Sequence, residues 1–153
     1  MKYWLEDAAA TEAAGAAIEQ ALRARAGLVV FLHGELGAGK TTLVRGMLRA
    51  MGVTGSVRSP TYTLLEPYRV DDRSVIHLDL YRLASPLELA NLGLADFPPE
   101  ANWWLVEWPE RGTSTLPAPE LELFLRREGQ GRALEVVSPP GTTIHFNIPP
   151  YPP

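Results

Sequence analysis

The chain has 153 residues, a formal net charge of −4 at pH 7, 46% hydrophobic and 21% charged residues, and no cysteine. This suits one soluble globular domain and excludes disulfide frameworks, cysteine–zinc centres and thiol nucleophiles. The acidic balance also argues against a protein that grips nucleic acid by bulk charge, and no apolar run reaches the roughly 18 residues a spanning helix needs. The N-terminal MKYWLEDAAA lacks the apolar core of a signal peptide, so the expectation is a cytoplasmic protein with no membrane association.

Residues 8–26 are alanine-rich, carry Ile18 and Leu22 four apart and contain no proline. They predict a helix with Asp7 as a possible N-cap and Gly27 as its stop. Residues 28–33 (LVVFLH) form a short run rich in β-formers, read as a strand buried on both faces and central in a parallel or mixed sheet. GELGAGKTT follows, then LVRGMLRAM at helical spacing up to Gly52. Residues 61–70 and 74–80 flank the turn-like Asp71-Asp72-Arg73 and predict a hairpin. Ser85-Pro86-Leu87-Glu88 has the form of a capping box and predicts a short helix over 86–91. WWLVE at 103–107 reads as a further buried strand, and 121–127 with 133–138 as a C-terminal hairpin around GQG. The domain therefore spans residues 1–140. Residues 141–153 belong to a proline-rich stretch read as an extended or disordered tail.

Gly34 to Thr41 fit G-x-x-x-x-G-K-[ST], the Walker A pattern. Glycines allow successive N–H groups to turn inward around a phosphate, and the next helix aims its positive end at the same anion. Lys40 can reach the β- and γ-phosphates, and the Thr41 hydroxyl can ligate Mg²⁺. The loop's place between a buried strand and an amphipathic helix sets it apart from an accidental glycine-rich turn.

Phosphoryl transfer needs a second acid near the metal and a group that orients water. Asp79 in VIHLDLYRL and Glu107 in WWLVEWPE both stand near strand C-termini, where open α/β sheets bind ligands. The plainer reading of each is a solvated strand-end carboxylate, and the sequence leaves open which of them orients water. His77 alternates with Asp79 and could share its face, but reads first as a satisfied histidine of the core or surface. Thr61 and Thr63 in SPTYTL fit either a switch that senses a γ-phosphate or an ordinary turn. Of Trp103, Trp104 and Trp108, two read as core and Trp108 as partly exposed beside the site.

GELGAGKTT, SPTYTL, HLDLYRL and LVEWPE, in this order and followed by a QGR-bearing hairpin, resemble the TsaE (formerly YjeE) family of small bacterial P-loop ATPases. The resemblance runs from about Thr11 to Pro139. It implies an α/β fold, a P-loop NTPase-like mixed sheet flanked by helices in a single domain with a C-terminal β-hairpin. It also implies a Mg²⁺-dependent ATPase acting with TsaB and the transferase TsaD to make threonylcarbamoyladenosine in tRNAs that read A-starting codons. Such a protein meets tRNA only through the complex. On this resemblance Gly37, Ala38, Gly39, Lys40, Thr41 and Thr42 bind the phosphates of ATP, and Thr41 and Glu107 hold Mg²⁺. Asp79 matches an essential acid, Ser59 to Thr61 a switch-like loop, and Arg132 an arginine near the nucleotide. Thr11 lies close to the segment that covers the base, and Trp108 completes a Glu-Trp pair. Lys40, Asp79 and Glu107 are the candidate catalytic residues. The tail after Gly141 has no place in the resemblance.

No arginine stands in the phosphate loop or SPTYTL, and no glutamine near Asp79. The expectation is slow hydrolysis alone, raised when a partner orders the loop. Two other readings share the loop. A small-molecule kinase needs an arginine-bearing lid, whereas the chain after residue 109 reads as a proline-rich turn and a hairpin. A non-enzymatic nucleotide sensor needs no hydrolysis.

Overall fold

Buried apolar runs pair side by side in a computed structural model that describes residues 1–112 and 114–153. Its elements are β1 (Lys2–Leu5), α1 (Ala8–Leu22), β2 (Leu28–His33), α2 (Lys40–Met51), β3 (Leu65–Val70), β4 (Arg73–Asp79), β5 (Trp103–Glu107), β6 (Leu121–Glu128) and β7 (Gly131–Val137). The seven strands make one mixed sheet in the order β1-β7-β6-β2-β5-β4-β3. The four central strands, β6, β2, β5 and β4, run parallel, while β3, β7 and β1 add antiparallel edges. β2 is central, as its nearly all-apolar composition predicts. Pro67 falls in β3, at an edge where a missing N–H is tolerated.

Alternation along the strands sorts the core into two layers. Val30, Leu32, Trp103, Leu105 and Val75 face α1 and α2, where they meet Ile18, Leu22, Leu43 and Met47. Val29, Phe31, Trp104, Val106, Ile76 and Leu78 face the other way. Loops and 3₁₀ turns at Pro86–Asn91 and Leu94–Asp96 cover that second face, with Leu83 and Leu89 buried against it. The same parity places His77, Asp79 and Glu107 on the helix side of the sheet. No helix among the described residues is long and apolar enough to cross a membrane.

Several boundaries differ from the sequence reading. The Asp7 carboxylate does cap α1, accepting the Ala10 N–H at 2.7 Å, but the helix ends at Leu22 rather than near 26. The Trp103 indole N–H takes the Arg25 carbonyl at 2.9 Å, and that tertiary bond competes with another helical turn. The helix expected over 86–91 is a 3₁₀ helix, begun by the Ser85 hydroxyl accepting the Leu87 N–H. The first hairpin starts at Leu65, because residues 61–64 turn and Leu64 takes a φ of 66°. β1 is an element the sequence reading did not assign.

The segment after Gly141 folds back onto the domain and meets β1 at residues 149–151. Phe146 and Ile148 are buried, the Trp4 N–H donates to the Pro149 carbonyl at 3.1 Å, and the Tyr151 N–H donates to the Lys2 carbonyl at 3.1 Å. An edge strand leaves a row of backbone groups unpaired, and this segment satisfies part of that row.

α1 and α2 lie close enough that a Cβ on Gly46 would stand 2.0 Å from the Glu12 carbonyl oxygen. Backbone cannot yield as a flexible side chain does. Gly46→Ala is therefore expected to lower unfolding free energy by about 1–3 kcal/mol, read from urea denaturation. Truncation after residue 140 uncovers the contacts of Phe146 and Ile148, each worth about 1.5–3 kcal/mol when fully buried. Its urea midpoint should fall clearly below that of the full chain, and an equal midpoint would show that the segment contributes no stability.

Candidate functional site

A cleft of 480 Å³ opens where β4, β5 and the start of α2 converge. The turn from β2 into α2 carries the glycine pattern, and Gly39 forms the helix N-cap at a φ of 109° without any side-chain cap. A Cβ at Gly39 would also press on the Arg132 Nε at 2.8 Å. The first N–H groups of α2 are thus bare of side-chain partners and face the cleft with the positive end of the helix dipole.

Lys40 is almost fully buried. Its ammonium donates to the Gly34 carbonyl and, at 3.1 Å, to the Glu35 carbonyl, and lies 4.2 Å above the Trp108 ring. Burial pulls its pKa below the ordinary lysine value, against the opposing pull of Glu107 and Asp79. The Thr41 hydroxyl lies 3.1 and 3.0 Å from the two carboxylate oxygens of Glu107. Glu107 is 3% exposed and also meets His77 Nε2 at 2.6 Å. Asp79, paired with Glu107 across β4 and β5, accepts the Ser59 hydroxyl on Oδ2 and the Tyr81 N–H on Oδ1 at 3.0 Å.

Of the residues singled out from sequence, Gly37, Ala38, Gly39, Lys40, Thr41, Thr42, Thr61, Asp79, Glu107, Trp108 and Arg132 all line this cleft. Arg132 reaches it from the β6–β7 hairpin, its Nε donating to the Ala38 carbonyl at 2.8 Å. Thr61 lines it, but its N–H is turned back on the Ser59 carbonyl at 2.9 Å. Trp103 and Trp104 are core and Trp108 is half-buried. Thr11 does not share the cleft. It is fully buried, its hydroxyl donates to the Asp7 carbonyl at 2.8 Å, and its side chain lies behind Gly39.

Tyr81 and Arg82 also line the cleft and were missed. Their signal was their place immediately past Asp79 in HLDLYRL. The Arg82 guanidinium lies 4.8 Å over the ring of the exposed Tyr62, so the cleft has an arginine beside the SPTYTL loop though none within it. Trp108 takes a φ of 57° directly after Glu107 and meets Tyr81 at 4.9 Å and Arg111 at 5.7 Å.

The donor set suits Mg²⁺ bound with a phosphate. Among the described residues no group of three or more His, Cys, Asp or Glu side chains could hold a metal by itself. Mg²⁺ takes hard oxygen ligands and ordinarily uses one or two carboxylates, substrate phosphate and water. One buried carboxylate beside one hydroxyl, at the mouth of a phosphate loop, meets that need.

A family model described as "Threonylcarbamoyl adenosine biosynthesis protein TsaE" matches residues 5–134. The tRNA threonylcarbamoyladenosine biosynthesis protein TsaE of Haemophilus influenzae is 42% identical over 111 residues, covering 72% of this chain and 70% of that one. The protein of the same name from Nostoc sp. is 34% identical over 152 residues, covering 94% of this chain and 88% of the relative. The crystal structure of Bacillus subtilis YdiB superposes with a TM-score of 0.72 at 29% identity, covering 90% of this chain and 84% of that one. The mixed sheet, the glycine loop and the acids at the ends of β4 and β5 therefore stand in a chain that belongs to the TsaE family of tRNA threonylcarbamoyladenosine biosynthesis proteins.

Proposed function

We propose that this chain binds ATP with Mg²⁺ in the cleft, hydrolyses it slowly alone, and acts in the cytoplasm as the accessory ATPase of a TsaB–TsaD complex. In this reading tRNA is met only through the partners, and TsaD rather than this chain transfers the threonylcarbamoyl group. The observation that carries the reading is the direct contact of the Thr41 hydroxyl with both oxygens of buried Glu107 at the head of the phosphate loop. A bare strand-end carboxylate would be solvated, whereas this one is withdrawn from water and meets the residue that a Walker loop reserves for the metal.

Each residue then has a task. The N–H groups from Gly37 to Thr42 wrap the phosphates, and Lys40 exchanges its loop carbonyls for β- and γ-phosphate oxygens. Thr41 and Glu107 hold Mg²⁺, which supplies charge neutralisation across the phosphates when bound. Arg132 braces the loop through the Ala38 carbonyl. Asp79 and the Ser59–Thr61 loop place the attacking water, whose addition yields ADP and phosphate.

The same geometry supports slow turnover in isolation. Both Asp79 oxygens already accept hydrogen bonds, from Ser59 and from the Tyr81 N–H. Each oxygen can accept a second bond, but Asp79 is buried beneath Ser59, so movement of the SPTYTL loop would open it to water and a partner that favours the moved state would raise the rate.

Hydrolysis measured with Mg²⁺, alone and then with purified TsaB and TsaD, tests the reading. The pair is expected to stimulate turnover by about 5- to 150-fold, the range of ordinary coupling between sites. Equal rates with and without the pair would remove the partner-gated ATPase, and absence of ATP binding would remove the nucleotide site. Glu107→Ala should cut stimulated hydrolysis by about 100-fold or more. Thr41→Val keeps the side-chain shape but strips Glu107 of a donor. It should therefore cost the nucleotide-free protein about 1.5–3 kcal/mol in urea unfolding, besides weakening Mg²⁺-dependent ATP binding.

A further inference from the structure

His77 lies two residues before Asp79 on β4 and is fully buried. Strand alternation turns it toward the helix side, as it does Asp79. Its Nε2 stands 2.6 Å from Glu107 Oε2, while its Nδ1 has no hydrogen-bond partner among the described residues. An aliphatic side chain would fill such a position without burying a polar nitrogen.

The carboxylate locates a proton. An ionised carboxylate only accepts, so the nitrogen facing Glu107 must carry the hydrogen. The ring therefore meets Glu107 with a donor at Nε2. Thr41 shares its single hydroxyl proton between the two Glu107 oxygens, so His77 is the group that tells them apart.

We propose that His77 is a positioning residue: its Nε2–H pins Oε2 of Glu107 and thereby turns Oε1, with the Thr41 hydroxyl, toward the metal. This rests on the reading of Thr41 and Glu107 as Mg²⁺ ligands. Groups that orient a ligand in this way govern metal affinity without touching the metal.

The test compares the full-length chain with His77→Leu and His77→Gln. Leucine keeps the bulk without a donor, whereas glutamine carries an N–H near the place of Nε2. Two quantities are read: the Mg²⁺ concentration giving half-maximal ATP hydrolysis with TsaB and TsaD, and the ATP-induced rise in melting temperature in Mg²⁺ against EDTA. His77→Leu should raise the half-saturating Mg²⁺ roughly 10- to 100-fold and shrink the Mg²⁺-dependent part of the melting shift, leaving the EDTA part unchanged. His77→Gln should stay within about threefold of the wild type. Unchanged Mg²⁺ dependence in His77→Leu, or equal impairment of both variants, overturns the proposal.

Should His77→Leu not fold, ¹⁵N NMR of the wild-type imidazole decides. A ring carrying a hydrogen at Nε2 supports the role, and one carrying it at Nδ1 alone overturns it. A wild type with no Mg²⁺ dependence in either quantity removes the reading of Thr41 and Glu107 as Mg²⁺ ligands, a result distinct from any failure confined to the variants.

Discussion

A carboxylate taken out of water must be given donors, and the arrangement of this cleft follows from how Glu107 obtains them. One comes from the first turn of α2 through Thr41, another from β4 through His77. Each donor is placed by backbone pairing: β4 lies parallel to β5 with Asp79 opposite Glu107, and β2 delivers the phosphate loop from the other side of β5. Three elements thus converge on one buried side chain. Removing a donor leaves a desolvated acceptor, so its loss weighs more than an exposed hydrogen bond of the same length.

The two faces of the sheet are unequally built. On the helix side, α1 and α2 meet backbone to backbone at Gly46, and Glu19 is fully buried between Arg23 and Arg73 at 2.8 and 2.7 Å. That side holds the start of α2 in place. The SPTYTL segment is different in kind, since it lacks strand pairing until Leu65 and is tied to the sheet through Ser59 on Asp79 and the Leu64–Asp79 backbone bond. Rigid placement of the phosphate loop and light attachment of the loop opposite are compatible because they draw on separate parts of the core.

Much of this was readable from residues alone wherever the information was local. The β2–loop–α2 unit follows from an apolar run, a glycine pattern and helical spacing, and Gly52 ends the helix where expected. Glu107 was legible because a buried run ended on an acid. What escaped depends on distant partners. β1 becomes a strand through β7 on one side and the segment after Gly141 on the other. The fate of Thr11 was decided by which face α1 turns inward. The role of His77 rests on a residue 30 positions away on the next strand, and no spacing rule reports a contact of that kind. Tyr81 and Arg82 lie in an irregular stretch where no periodicity assigns direction.

The backbone at Trp108 leads to a different property. A non-glycine residue at a φ of 57° costs about 1–2 kcal/mol, so this indole is held against a local preference, between the Lys40 ammonium on one hand and Tyr81 and Arg111 on the other. The emission of an indole responds to charge near its ring, and the Lys40 ammonium, 4.2 Å away, is nearer to it than the Arg111 guanidinium. In the proposed ATP-bound state Lys40 would leave this ring, and the emission of Trp108 would then report on cleft occupancy with no label.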